Sequence, residues 1–441
     1  MVENTTDRTA KKERKASGKA TVRAAGKTAR RFTALLMCLV LGINTAGCSY
    51  KVKAQNLMDG VNAAKVESKT PDGTFANSQM DFAVRLFKEN VAESDGNVMI
   101  SPLSVMLALA MTANGADGET KTQMEKVLAG GMSAETLNEY LKGYVEGLPS
   151  DKKYKLSVAN SIWFIDNENR LKVKEDFLQK NAGYYNAQIY KAVFDSSTLK
   201  DINGWVKSNT DGMIKNIIDR IEPDTIMYLI NAIAFDAEWN EKYEKNNISD
   251  GTFKAENGQK KQAKMMSSTE GKYIETSDAQ GFIKDYKDGK YSFVALLPNE
   301  GIGIDDYVES LKYNELLEEV NNPESTQVHA YVPKFSCEYS VSLKKILGEM
   351  GMVSAFDSVK ADFSALGESA NGNIFIGDVI HKTYISVDES GTKAGAATVV
   401  EMRNGSAPLE PKIVRLDRPF VYMIMDNSTG LPIFIGAVRN V

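Results

Sequence analysis

Chemistry in an unfamiliar chain is sought first among histidines, cysteines and paired acids. This chain of 441 residues has only two histidines, His329 in QVHAYV and His381 in VIHKTY, both within strand-like alternation. No G-x-S-x-G elbow accompanies them, so a Ser-His-Asp hydrolase has no local signature. No H-E-x-x-H or C-x-x-C occurs, which removes the common zinc patterns. GKT at 26–28 mimics the tail of a phosphate loop, but Thr21 stands where its first Gly is needed. DYKDG at 285–289 is a fragment of a calcium loop without the remaining ligands and reads as a turn. Cys337 is the one cysteine beyond residue 48, so no intramolecular disulfide is available to the body of the chain. YVPKFSCEYSV places it in strand and loop, as a buried neutral thiol rather than a nucleophile. These readings call for no catalytic residue, no metal and no cofactor, and the chain is not read as an enzyme.

Charge and hydropathy then divide the chain. Residues 1–31 hold ten Lys/Arg against Glu3, Asp7 and Glu13, while the whole chain is −5, so the remainder is −12. An acidic body argues against nucleic acid as a partner. The basic head precedes FTALLMCLVLGI, Phe32 to Ile43, too short to span a bilayer comfortably and suited to a signal core. NTAGC follows, with small residues before Cys48, and resembles a bacterial lipoprotein signal, although Thr45 stands where Leu is usual. Residues 1–47 are expected to be a signal peptide and Cys48 its lipidation site, giving an exported protein on a membrane face, at the cell surface or released. Residues 48–74 are polar and read as a tether.

From residue 75 the elements form one large α+β unit. NSQMDFAVRLFKENV has helical spacing, and SPLSVMLALAMTANGA opens with Ser101 as cap and Pro102 in the first turn. TKTQMEKVL, SAETLNEYLKGYVEGL and LKDINGWVKSNTDGMIKNII read as further helices, and SLKKILGEMGM as a late one. KLSVANSIWFI, MYLINAIAFDAEW, KYSFVALLP, QVHAYVPKF and FVYMIMD are strand-like runs closed by Pro, Gly or Asn. A helical N-terminal part followed by strands, with no linker between, is one domain.

Several stretches, in order, resemble the serpins, a family of mostly protease-inhibiting proteins. They are NVMISPLSVMLALAMTANGA, VANSIWF, INGWVKSNTDGMI, LINAIAFDAEW, AKMM, YVPKF, MGMVSAFDSVKADFS, VIHKTYISVDESGTKAGAATVV and LDRPFVYMIMDNSTGLPIFIGAVRNV, spanning 75–441. Met213 replaces the Lys usual in one helix, and Asn440–Val441 replaces the usual Asn-Pro. The resemblance implies a serpin fold with a large central β-sheet, further sheets and an exposed reactive-centre loop at about 389–412. It implies a monomeric suicide-substrate inhibitor of serine proteases, trypsin-, elastase- or subtilisin-like, with a cysteine protease as a further target class. A non-inhibitory binding or carrier module is the alternative. In such inhibitors the cleaved loop inserts into the main sheet; loop insertion of this family is a standard example of strand addition and stored strain.

An inserting strand turns alternate residues inward. Counted from Thr392, the inward set is Thr392, Ala394, Ala396, Thr398 and Val400, all small or β-branched and uncharged. Lys393, Gly395, Ala397 and Val399 face out, with Lys393 where the family usually has Glu. Glu389 and Gly391 complete the hinge. The resemblance assigns Ser101, Ser104, Asn231 and His381 to the polar shutter beneath the sheet opening. It assigns Trp239, Lys334 and Glu389 to the breach, where the loop enters. The family's usual spacing from Glu389 puts the reactive bond between Gly405 and Ser406. Arg403, Met402, Asn404 and Val400 are alternative anchors in a shifted register.

Overall fold

The computed structural model describes residues 50–149, 151, 154–165, 171–221, 225–370, 372–392 and 411–441. The signal segment, Cys48, the hinge residues Ala394, Ala396, Ala397 and Thr398, and the bond candidates Val400, Met402, Arg403, Asn404, Gly405 and Ser406 lie outside them.

Local chemistry starts the helices, the first of them four residues before the stretch NSQMDFAVRLFKENV that reads as helical. Helix α1, Gly73–Ala92, is capped by Asp72, whose side chain accepts the Phe75 N–H at 3.0 Å. Helix α2, Pro102–Ala113, is capped by Ser101 with Pro at its start, and all twelve of its residues are buried. A helix that is apolar all round belongs inside a core, and α2 lies beneath the main sheet, between it and a second sheet. Helices α3, Gly118–Ala129, α4, Ala134–Gly147, α5, Glu175–Tyr185, and α6, Ser196–Asn209, follow.

The main sheet has seven strands: β1 Gln55–Asn56, β2 Tyr154–Ile165, β3 Gln188–Ala192, β4 Met227–Glu238, β5 Phe335–Ser342, β6 Asp378–Val387 and β7 Gly391–Thr392. Their spatial order is β1-β3-β2-β4-β7-β6-β5. Ten of the twelve β4 residues are buried, which makes it the central strand. In β6 buried and half-buried residues alternate, so one face meets the core. A six-stranded sheet runs in the order Val98–Ile100, Leu431–Val438, Phe420–Asp426, Tyr291–Pro298, Ala279–Asp285, Tyr273–Glu275. A four-stranded sheet runs Lys412–Arg415, Val328–Pro333, Lys260–Glu270, Ile248–Lys254. Helices gather early and sheets late, as the α+β reading expects.

Two expectations are corrected. The helix read through Ile218 ends at Asn209, because Gly212 takes a left-handed φ of +76° and turns the chain. The returning segment is held by Asn203, whose Oδ1 accepts the Ile217 and Ile218 N–H groups at 2.7 and 3.2 Å. The tether is likewise not free from Tyr50 onward; it is strapped to the body. The Asp201 carboxylate accepts the Tyr50 hydroxyl at 3.0 Å and the Lys53 and Ala54 N–H groups at 2.9 and 2.8 Å. Gln55–Asn56 then pairs with β3 as an edge strand. Farther on, Ala64 N–H donates to Gln179 O at 3.0 Å and Lys69 N–H to Glu139 O at 2.9 Å. Glycines open the slots: a Cβ at Gly143 would meet Lys69 O at 1.9 Å, and one at Gly204 the Tyr50 ring at 2.6 Å. The segment binds through backbone groups and through a few scattered apolar side chains, Val52, Leu57, Met58 and Val61, that pack against the cores, too sparse a set to stand out from its polar composition.

Candidate functional site

Strands β4 and β6 run parallel and pair directly from Tyr228–Ala234 against Asp378–Tyr384. Beyond Ala234 and Tyr384 they separate. Into that gap comes β7, antiparallel to both, with Gly391 opposite Glu238 and Thr392 opposite Ala237 and Val387. A tight turn makes the reversal: Asp388 N–H donates to Gly391 O at 3.0 Å, and its carboxylate accepts Ser390 N–H at 2.8 Å. Gly391 is required by close approach, since a Cβ there would meet Ala237 O at 2.0 Å. Thr392 is fully buried, on the inward side that the alternation predicts.

The breach residues Trp239, Lys334 and Glu389 do come together around this turn. Trp239 Nε1–H donates to Asp388 O at 2.8 Å, its backbone N–H to Ser390 O at 3.0 Å, and Tyr243 N–H to Glu389 O at 3.0 Å. Lys334 pairs with Glu389, and this hydrogen bond holds the Glu389 carboxyl below its usual range. The side chains are 30% and 42% exposed, so the pair orients more than it stabilises.

Two residues here, Tyr286 and Lys284, escaped sequence reading. Tyr286 lies parallel to Trp239, with ring centroids 4.4 Å apart, and its hydroxyl is 2.5 Å from Thr392 Oγ1. Lys284, almost wholly buried, pairs with Glu270 at 2.8 Å and stands 4.7 Å from the Tyr243 ring centroid. Tyr286 lies in the DYKDG stretch that reads as a turn, and a turn does follow it at Lys287–Gly289.

The shutter residues also converge, all fully buried. Ser101 N–H donates to His381 Nε2 at 3.0 Å, so the ring proton is on Nδ1, which donates to Asn231 Oδ1 at 2.5 Å. Asn231 Nδ2 donates to Asn160 Oδ1 at 2.6 Å and to Ser104 O. One asparagine thereby ties β2, β4, β6 and the start of α2. Burial pushes the His381 pKa down to about 3, so the imidazole is neutral at ordinary pH. Ser104 Oγ is buried with no hydrogen-bond partner among the described residues. Asn160 was not singled out from sequence; only its β-ladder position opposite Asn231 reveals it.

Of the residues first considered for catalysis, His381 is part of this network, and Cys337 and His329 stay apart from it. Cys337 is buried in β5, and burial pushes its thiol up to about 12, so it carries no thiolate at neutral pH. His329 is in the four-stranded sheet, with Nδ1 3.4 Å from Thr269 Oγ1. Among the described residues no group of three or more His, Cys, Asp or Glu converges as for a metal ion.

Comparison with known proteins agrees with this geometry. The family described as Serpin (serine protease inhibitor) matches residues 77–441. An uncharacterized serpin-like protein of Thermococcus kodakarensis is 32% identical over 373 residues, covering 82% of this chain and 85% of that protein. The thermophilic serpin tengpin in its native state is 49% identical, with a TM-score of 0.85, covering 88% of this chain and 100% of tengpin. Its latent state superimposes less well, with a TM-score of 0.74 over 84% of this chain and 99% of that one. With a family model matching residues 77–441 and a relative 32% identical over 82% of this chain, this chain belongs to the serpin family.

Proposed function

We propose that the protein is an irreversible suicide-substrate inhibitor of serine proteases, with cysteine proteases as a further target class. One observation carries this: Gly391 and Thr392 already occupy the first two places of a strand between β4 and β6, in register with both. Extending that register puts Ala394 beside Phe235 and Ile385, and Thr398 beside Asn231 and His381. The incoming inward residues are small and uncharged, so no buried charge opposes entry.

The reaction then proceeds as follows. A protease serine Oγ attacks the carbonyl carbon of the reactive bond, which we place at Gly405–Ser406, with Val400, Met402, Arg403 and Asn404 as alternative anchors. The C–N bond breaks, the new amine leaves with a proton from the protease histidine, and an ester joins the enzyme to the loop. Residues beyond the bond stay attached, because Phe420–Asp426 and Leu431–Val438 are central strands of the six-stranded sheet. The freed end inserts along β4 and β6, and carries the ester-linked protease away before hydrolysis completes.

Trypsin, elastase and subtilisin are the proteases to try. An SDS-resistant complex with at least one is expected, and mass spectrometry of the released fragment locates the bond. Loop cleavage by all three with no complex would replace this reading with the carrier module. We also infer export and a lipid anchor on Cys48, which globomycin-sensitive processing and a lipidated N-terminal peptide would test.

A further inference from the structure

Resting on that reading, we propose that the Tyr286 hydroxyl is a latch that fixes how far the loop is inserted before cleavage, making Tyr286 a positioning residue for inhibition. Its ring is fully buried, stacked at 11° on Trp239 and edge-on to Phe235 at a centroid distance of 5.2 Å. That packing leaves the ring one polar atom, and the atom meets Thr392 Oγ1 at 2.5 Å. A buried hydroxyl needs a partner, and this partner is on the loop. Burial also pushes the phenol pKa up, so it stays a neutral hydrogen-bonding group.

The other breach contacts grip a different part of the chain. Trp239 and Tyr243 hold Asp388, Glu389 and Ser390, which form the turn outside the sheet. Among the described residues, the Tyr286 contact is the one side-chain hydrogen bond that reaches the residue already between β4 and β6. Lys284 steadies the platform: its Nζ is 5.6 Å from the Trp239 centroid and pairs with Glu270 at 2.8 Å. Expelling Thr392 orphans the phenol, and inserting the loop keeps the bond. The latch therefore holds the gap open at its entry and gives insertion a head start over ester hydrolysis.

Tyr286→Phe keeps the stack and removes the bond; Thr392→Val removes it from the other side, and Thr392→Ser retains a hydroxyl. Two readouts are taken on the full chain: amide hydrogen exchange over 388–392, and stoichiometry of inhibition against a protease that forms the complex. Expected for Tyr286→Phe and Thr392→Val are exchange at least about 10-fold faster over 388–392 with 228–234 unchanged, and a stoichiometry raised at least about 2-fold. The double variant should add little to either single one, and Thr392→Ser should behave as the parent. Parent-like exchange and stoichiometry in Tyr286→Phe would overturn the latch, as would equal acceleration in 228–234, which marks a merely structural role. Should the parent inhibit nothing while exchange responds as expected, the latch holds its place and the inhibitory reading falls instead.

Discussion

A positive charge at Thr392 would have to enter a space where the side chain is fully buried against a phenol and two strands. Thr392→Arg is expected to leave the loop cleavable and to abolish SDS-resistant complex, because an unpaired buried charge costs several kcal/mol, roughly 3–5. Gel analysis of cleaved against complexed protein checks it; a complex at parent yield would contradict it. Lys393, where relatives usually carry Glu, falls opposite Asp236 when the register is extended. On an outward face such a cross-strand pair contributes about 0.2–1 kcal/mol, so Lys393→Glu should slow insertion modestly, read as a rise in the stoichiometry of inhibition. His381 gives a pH signature. Its folded pKa is held down to about 3 by burial, against about 6.5 in an unfolded chain. The folded state thus binds fewer protons in that window, and this contribution is complete above about pH 6.5. It is lost as pH falls toward 3, by about 1.4 kcal/mol per pH unit. Urea unfolding between pH 7.5 and 4.5 should show that slope in the parent and lack it in His381→Gln. Equal slopes in the two would show that His381 does not titrate this way.

Among elements, the strap from Tyr50 to Lys69 is the one whose composition gave no warning. Asp201→Ala removes one buried acceptor from three donors, Tyr50 Oη–H, Lys53 N–H and Ala54 N–H, and should cost about 1–3 kcal/mol. The urea midpoint should fall, and limited proteolysis at Lys51 or Lys53 should quicken; an unchanged midpoint would mean that the strap contributes nothing there. The other elements were legible in proportion to how local their causes are. Ser101, Pro102 and an unbroken apolar run announce α2 within a few residues. The strands of β4 and Phe420–Asp426 announce themselves by β-branched and aromatic runs. The breach and shutter were readable only through resemblance, since Ser101, Asn231 and His381 are far apart in the chain and meet through sheet register. Tyr286 was hidden for the same reason: its partner is 106 residues away, and its neighbours spell a turn. The extra length given to helix α6 failed because helical spacing continues past Gly212 while the backbone does not.

For the whole molecule, the main sheet is split at one end and joined at the other. Seven residue pairs still join β4 to β6 below two residues of inserted hinge, and one shutter network bridges the joined portion. Under the proposed mechanism, cutting the loop would free its end to continue the strand and replace direct β4–β6 pairing with two ladders. Added backbone pairing and burial should raise stability greatly. The most direct measurement is the thermal transition before and after a single cut in the loop, followed by calorimetry or far-ultraviolet circular dichroism. Insertion predicts a transition at least about 10 °C higher in the cleaved protein. A cleaved protein that melts at the same temperature as the intact one, or below it, would contradict insertion and with it the inhibitory mechanism.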